Sequence, residues 1–353
     1  MSRGADTPMQ QEILSASPLL SAAGTLVQPG WARQPLWQYQ RTAIRAAGWR
    51  IKEWDYYAVL SAEQRFGIAL TVADLGYVGL VALCYLDFAR GSFQQVDSLI
   101  PLPLGRLGLG ADSQHGRLQH HSRTLQVDIE VDHGQRRLRF AAPGLRAADG
   151  SRGLEGEILL QPPSVLESLN IATSWAENRR AFYYNRKLNC LPASGQVRLG
   201  TETRTFDPSR DAGVLDWGRG VWTYQNRWYW SSASGFLDGV PFGFNLGYGF
   251  SDRSPASENA LIHAGRLHKL GEVHFAYDAA DYLKPWRLND DAGRLELSFR
   301  PLLDRHSKID LGLMKTVQHQ VFGLFSGRVL LDDGTPLQLD EFLGFAEEVF
   351  NRW

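Results

Sequence analysis

Two cysteines and six lysines are all that the 353 residues hold of those types. Cys84 and Cys190 stand far apart, each inside an apolar stretch. Such cysteines read as small buried hydrophobes in a reducing compartment, and neither a disulfide nor a catalytic thiol is expected. Arg outnumbers Lys by 31 to 6, a bias we attribute to codon usage rather than function. The net charge is −1, the pI is near 6.8 and no long basic run occurs, so a nucleic-acid partner has no electrostatic footprint here. No window of about 18 apolar residues is free of charge, which excludes a membrane-spanning helix. The start of the chain lacks a charged segment followed by an apolar run, and the apolar group around Leu19 and Leu20 is too short for a signal-peptide core. The cytoplasm is the expected location. H-x-H, H-E-x-x-H and C-x-x-C spacings are missing, so no metal or cofactor is expected, and His115, His120 and His121 read as loop residues. The chain also lacks a G-x-S-x-G elbow, a P-loop and a G-x-G-x-x-G turn after a strand.

What is present has period two. Phe66, Ile68, Leu70 and Val72 alternate with Gly67, Ala69 and Thr71. Leu125, Val127, Ile129 and Val131 alternate with Gln126, Asp128 and Glu130. Tyr77 to Phe88 is apolar on both parities, as in a strand buried on both faces. Many short strands with turn signals between them, and no βαβ rhythm, predict a mainly β protein of sandwich or barrel type. Helix is predicted only near the ends, over 36–47 and as a short C-terminal helix over 340–353, where Phe342, Phe345, Val349 and Phe350 share a face. The length favours two domains. Pro162-Pro163 divides an N-terminal β lobe at 20–163 from a C-terminal β lobe at 164–353. Each half carries an aromatic strand followed by a glycine-containing apolar hairpin, which points to a shared fold.

Four of the eleven tryptophans, Trp217, Trp222, Trp228 and Trp230, fall within fourteen residues. Aromatics mixed with an Asp and two Arg can line a ligand cleft as well as fill a core. Asp216 lies between Leu215 and Trp217, and Arg219 follows. A carboxyl in an apolar setting is disposed to general-acid work, although it could equally cap a tight turn at Trp217-Gly218 or pair with Arg219. In the strand from Phe242 to Phe250, one face is aromatic and aliphatic while the other is Gly243, Asn245, Gly247 and Gly249. Either a ligand approaches that face, or a bulky neighbour such as Trp228 or Trp230 covers it. Glu258, Asn259, His263 and Lys269 form a second polar group, in which His263 reads equally as a satisfied core histidine.

The segments Lys187-Leu188-Asn189-Cys190-Leu191-Pro192-Ala193-Ser194-Gly195, Asp216-Trp217-Gly218-Arg219-Gly220, Phe244-Asn245-Leu246-Gly247 and the stretch from Glu258-Asn259 to Lys269 together resemble the bacterial family of domain of unknown function 2804. The resemblance runs from about Gly48 to Trp353. More distantly, the chain is similar to lipocalin-like, calycin-like two-lobed proteins that include carotenoid hydratases and tocopherol cyclases. That resemblance implies two lipocalin-like antiparallel β-barrel or sandwich lobes with a ligand cleft between them. It places a Gly-rich turn with an acidic residue at the cleft, here Asp216, Trp217 and Gly218. The hydratases often carry a histidine near this turn, where this chain has Leu215.

Three functional readings follow. In the first, an apolar small molecule of isoprenoid, lipid or polyketide type is bound and protonated by Asp216, and tryptophan faces stabilise the resulting cation, as in a hydratase or cyclase. The second is a non-catalytic carrier or sensor of a lipid-like ligand. The third is a carbohydrate-active or carbohydrate-binding β protein. The candidate ligand contacts are Trp217, Arg219, Trp222, Trp228, Trp230, Asn245, Glu258, Asn259, His263 and Lys269.

Overall fold

Strands account for 64% of the structure and helix for 2%, so the period-two pattern is the fold. The computed structural model describes residues 10–310 and 314–352. Two curled antiparallel half-barrel sheets form two lobes.

The first sheet runs, in order, through Ser92–Pro101, Val78–Asp87, Phe66–Asp74, Ile51–Ser61, Ala212–Val221, Asn178–Leu199, Arg152–Leu160, Gln135–Arg146, Gln126–Asp132 and Gly116–His121. The second runs through Arg266–Lys269, Ala260–His263, Val240–Tyr248, Gln225–Leu237, Pro336–Arg352, Lys315–Leu330, Leu295–Asp310, Trp286–Asp290 and Val273–Ala276. The chain passes from one sheet to the other between Val221 and Gln225.

Each lobe has its own interior, and a separate apolar layer lies where the lobes meet. Tyr57, Ile68, Leu83, Tyr184, Leu215 and Trp217 belong to the first interior. Phe242, Phe244, Leu297 and Phe325 belong to the second. Tyr56, Cys84, Trp230, Phe322 and Phe345 pack together in the seam between the lobes. Strands that separate a lobe interior from the seam are buried on both faces, as Ala212–Val221 is throughout. Both cysteines are free and buried.

Neither predicted helix forms. Over 36–47 there is only a short strand, Trp37–Gln38, and one 3-10 turn, Arg41–Ala43. The C-terminal segment is the strand Pro336–Arg352 in the middle of the second sheet, and Trp353 lies outside the described residues. Residues 342–349 are all buried there. A strand buried on both faces has no polar parity, so its apolar spacing matched a helical stripe by coincidence. Asp216-Trp217-Gly218 is likewise not a turn but the middle of Ala212–Val221, paired with Ile51–Ser61 and Asn178–Leu199. Gly218 is required for another reason: a Cβ there would overlap the Trp54 ring.

Candidate active site

Alternation along four strands collects one polar cluster in the seam. In Asn178–Leu199, Tyr183 packs in the seam while Phe182, Tyr184 and Leu188 pack in the first-lobe interior, so Asn185 and Lys187 share the seam face. In Ala212–Val221, Val214 packs in the seam while Leu215 and Trp217 face inward, which puts Asp216 in the seam. Lys187 and Asp216 are direct cross-strand partners. From the second sheet, Gln225–Leu237 contributes Trp228 and Trp230, and Pro336–Arg352 contributes Glu347, the cross-strand partner of Trp230.

Lys187 Nζ is the centre of the cluster. It lies 3.0 Å from Asp216 Oδ2, 3.9 Å from Glu258 Oε2 and 4.1 Å from the centroid of the Trp230 ring. Asn185 donates to Asp216 Oδ1. The Tyr183 hydroxyl donates to Glu258 Oε2 at 3.3 Å. Trp230 Nε1 donates to Asn245 Oδ1 at 2.7 Å, and Asn245 Nδ2 donates to the Glu258 carbonyl at 2.7 Å. Glu347 accepts from Trp228 Nε1 at 3.0 Å and from Gln320 Nε2 at 3.0 Å. The Tyr56 hydroxyl and the Arg305 guanidinium both donate to Gln320 Oε1. Trp54, Trp222, Trp228, Tyr183 and Phe250 form an aromatic wall beside this network.

Three carboxyl groups and one ammonium are thus enclosed together: Lys187, Glu258 and Glu347 are each 5% exposed or less and Asp216 is 7% exposed. Burial pushes Glu258 up to about 7, against the opposing pull of Lys187 and with a further push from Asp216. Burial likewise pushes Glu347 up to about 7, against its hydrogen bond from Trp228 and the charge of Lys187. Two carboxyl groups therefore titrate near neutrality beside an ammonium and two indoles, a setting able to hold a proton and give it up.

The structure brings Asp216, Trp222, Trp228, Trp230, Asn245 and Glu258 to this seam and leaves the other sequence candidates elsewhere. Trp217 and Arg219 face the interior of the first lobe, where Arg219 lies 4.0 Å over the Trp217 ring and 3.0 Å from Asp55. Asn259 has a backbone role, accepting from Gly247 N at 2.6 Å and donating to the Gly271 carbonyl at 2.7 Å. Lys269 donates to Ser257 Oγ and to the carbonyls of Asn259 and Leu270, and burial pulls its amine down to about 7. His263 sits at the end of the hairpin strand Ala260–His263, half-buried. The glycine face of Val240–Tyr248 is covered: the Trp230 indole meets Asn245 on it, and other groups stand directly over the glycines. A Cβ on Gly247 would meet the Glu258 side chain at 2.8 Å, and one on Gly243 would meet Cys190 Sγ at 2.9 Å. The glycines let the first lobe and Glu258 approach the sheet.

Sequence reasoning missed Lys187, Tyr183, Asn185, Gln320 and Glu347 as site residues. A faint signal existed for three of them: Tyr183, Asn185 and Lys187 recur at period two, although Arg186 and Asn189 in the same strand blur the pattern. Glu347 was hidden in the segment read as helix.

No curated protein matches the chain. Among solved structures it is similar to a putative AttH from Nitrosomonas europaea, at 14% identity and a TM-score of 0.53, covering 86% of this chain and 92% of that one. It is also similar to CghA, at 11% identity and a TM-score of 0.55, covering 98% and 97%. Kievitone hydratase from Nectria haematococca matches at 9% identity and a TM-score of 0.50, covering 86% and 88%. At these identities the likeness is one of fold, and it agrees with the two-lobed lipocalin-like architecture. The family model described as Domain of unknown function (DUF2804) matches residues 10–353, and the chain belongs to that family.

Proposed function

We propose that the protein admits an apolar small molecule of isoprenoid, lipid or polyketide type between its lobes and transfers a proton to it, as a hydratase or cyclase. The observation that carries this reading is the enclosed group of three carboxyls around Lys187, two of them pushed to about 7, against the face of Trp230 and the N–H edge of Trp228. The names of two proteins of similar fold lend support: one is a hydratase, and CghA has been crystallised with Sch210972.

The sequence alone selects Asp216 as the donor. Its two oxygens are engaged by Asn185 and Lys187, which suits it better to the role of counter-ion. Glu258 is the better proton carrier. Its carboxyl proton would pass to one carbon of a double bond, leaving a carboxylate and a carbocation. Indole faces would stabilise that cation. Attack by water, with loss of a proton to Glu347, would complete a hydration. Attack by a group of the substrate itself, with loss of a proton to Glu347, would complete a cyclisation. A carrier would use the same seam without proton transfer.

The test begins with extraction and mass spectrometry of the small molecules that co-purify with the full chain. An apolar compound is expected, and a glycan would favour the carbohydrate reading instead. The extracted compound, returned to the protein in deuterium oxide, should gain carbon-bound deuterium with wild type and not with Glu258→Gln. Equal behaviour of wild type and Glu258→Gln, with the compound bound but unchanged, would identify a carrier.

A further inference from the structure

The second lobe holds a group of side chains that the seam does not use. Pairing of its central strands places Arg227, Phe350 and Val317 in one row and Tyr229, Glu348 and His319 in the next. Trp228 and Val349 lie between these rows, and Trp228 packs in the seam, so Arg227 and Glu348 project to the opposite side of the sheet. There a cavity of about 300 Å³ opens, bounded also by Tyr282 and Lys315.

The walls are fixed by their own contacts. Glu348 is 6% exposed. It pairs with Arg227 through Oε1 and accepts the hydroxyls of Tyr277 and Tyr282 at Oε2. A carboxylate met by a guanidinium and two phenols projects little negative field into the cavity. Tyr282 lies flat on His319, with ring centroids 3.8 Å apart and planes inclined by 3°. His319 Nδ1 is 2.8 Å from Asp304 Oδ2, which orients the imidazole and turns Nε2 away from Asp304. The other oxygen, Asp304 Oδ1, is buried with no hydrogen-bond partner among the described residues. At the rim, the side chains of Arg227 and Lys315 are 50% and 33% exposed, each paired on one side with a carboxylate. The cavity therefore presents flat rings on its walls and two cations at its opening.

We infer that this cavity is a second binding site, independent of the seam, and that it takes a small planar aromatic anion of the benzoate class. The ring would lie against the Tyr282–His319 layer and the Phe350 face, with its carboxylate toward Arg227 and Lys315. The cavity is at the small end of the range for ligand sites, roughly 300 to 1,000 Å³, which limits the ligand to one ring with short substituents.

Salicylate, followed by its own emission, is a suitable probe for the full-length chain, with neutral salicyl alcohol as the comparison. Saturable one-to-one binding of salicylate is expected, with the alcohol at least tenfold weaker. Arg227→Met should weaken salicylate at least tenfold, and Glu258→Gln, in the seam, should leave it unchanged. The idea fails if salicylate does not saturate, if the alcohol binds equally well, or if Glu258→Gln abolishes binding while Arg227→Met does not. Should Arg227→Met not fold, as judged by circular dichroism, the comparison of acid and alcohol on the wild-type protein still decides.

Discussion

Lys187 and Asp216 face each other across adjacent antiparallel strands, with Nζ and Oδ2 3.0 Å apart and both side chains enclosed between the lobes. This pair holds the one ammonium of the seam cluster in reach of Glu258 and beneath Trp230. Removing one partner of a buried pair leaves an uncompensated charge, which costs far more than the pair itself contributes. Lys187→Met should therefore lose roughly 3 to 5 kcal/mol at neutral pH, read by urea denaturation. Part of the loss should return in acid, where Glu258 and Glu347 take up protons. A loss that is the same at every pH would show that Lys187 acts through packing rather than charge.

Glu258 and Glu347 make the wild-type protein sensitive to pH in a definite direction. Each is raised from an ordinary carboxyl value of 4.5 to about 7. Between these values the folded protein holds protons that the unfolded chain has released. The stability they contribute is complete below the unfolded value and is lost as pH rises through about 7. The melting temperature should fall from about pH 5 to about pH 8, and the double variant Glu258→Gln, Glu347→Gln should flatten that fall. Parallel curves for the two proteins would rule these residues out as its source.

Gly247 exists to admit Glu258. A Cβ there would stand 2.8 Å from three atoms of the Glu258 side chain. Gly247→Ala should destabilise the protein by about 1 to 3 kcal/mol, the usual cost of overfilling a packed site. In a Glu258→Ala background the same change should cost much less, because the obstructing group is gone. A double-mutant cycle with no coupling between the two positions would contradict this account.

Trp230→Phe preserves ring packing against Phe345, whose centroid is 4.8 Å away, and removes the indole N–H. Asn245 is fully buried and accepts that N–H at 2.7 Å. An orphaned buried acceptor costs about 1 to 3 kcal/mol. We expect a loss in that range by thermal or urea unfolding, and a larger loss for Asn245→Leu, which also orphans the Glu258 carbonyl. A Trp230→Phe protein as stable as wild type would mean that water replaces the indole at Asn245.

The sequence by itself determined the fold class. Alternation in segments such as Phe66–Asp74 and Gln126–Asp132 is a local property, since each strand buries one face or both and its neighbours along the chain report it. It also pointed to Asp216, Trp228, Trp230, Asn245 and Glu258, because aromatics, glycines and acids at strand spacing are unusual in composition. It could not assign faces. Asp216 and Trp217 are adjacent in the chain but point to opposite sides of one strand, into the seam and into the first lobe respectively. Nor could it read Pro336–Arg352, because burial on both faces erases the alternation that marks a strand. Only the tertiary structure decided that Lys187 and Glu347, 160 residues apart and on different sheets, belong to one enclosed cluster. The reason is that a site between two sheets is made by register and lobe packing, which depend on pairings far apart in the chain and leave no local trace.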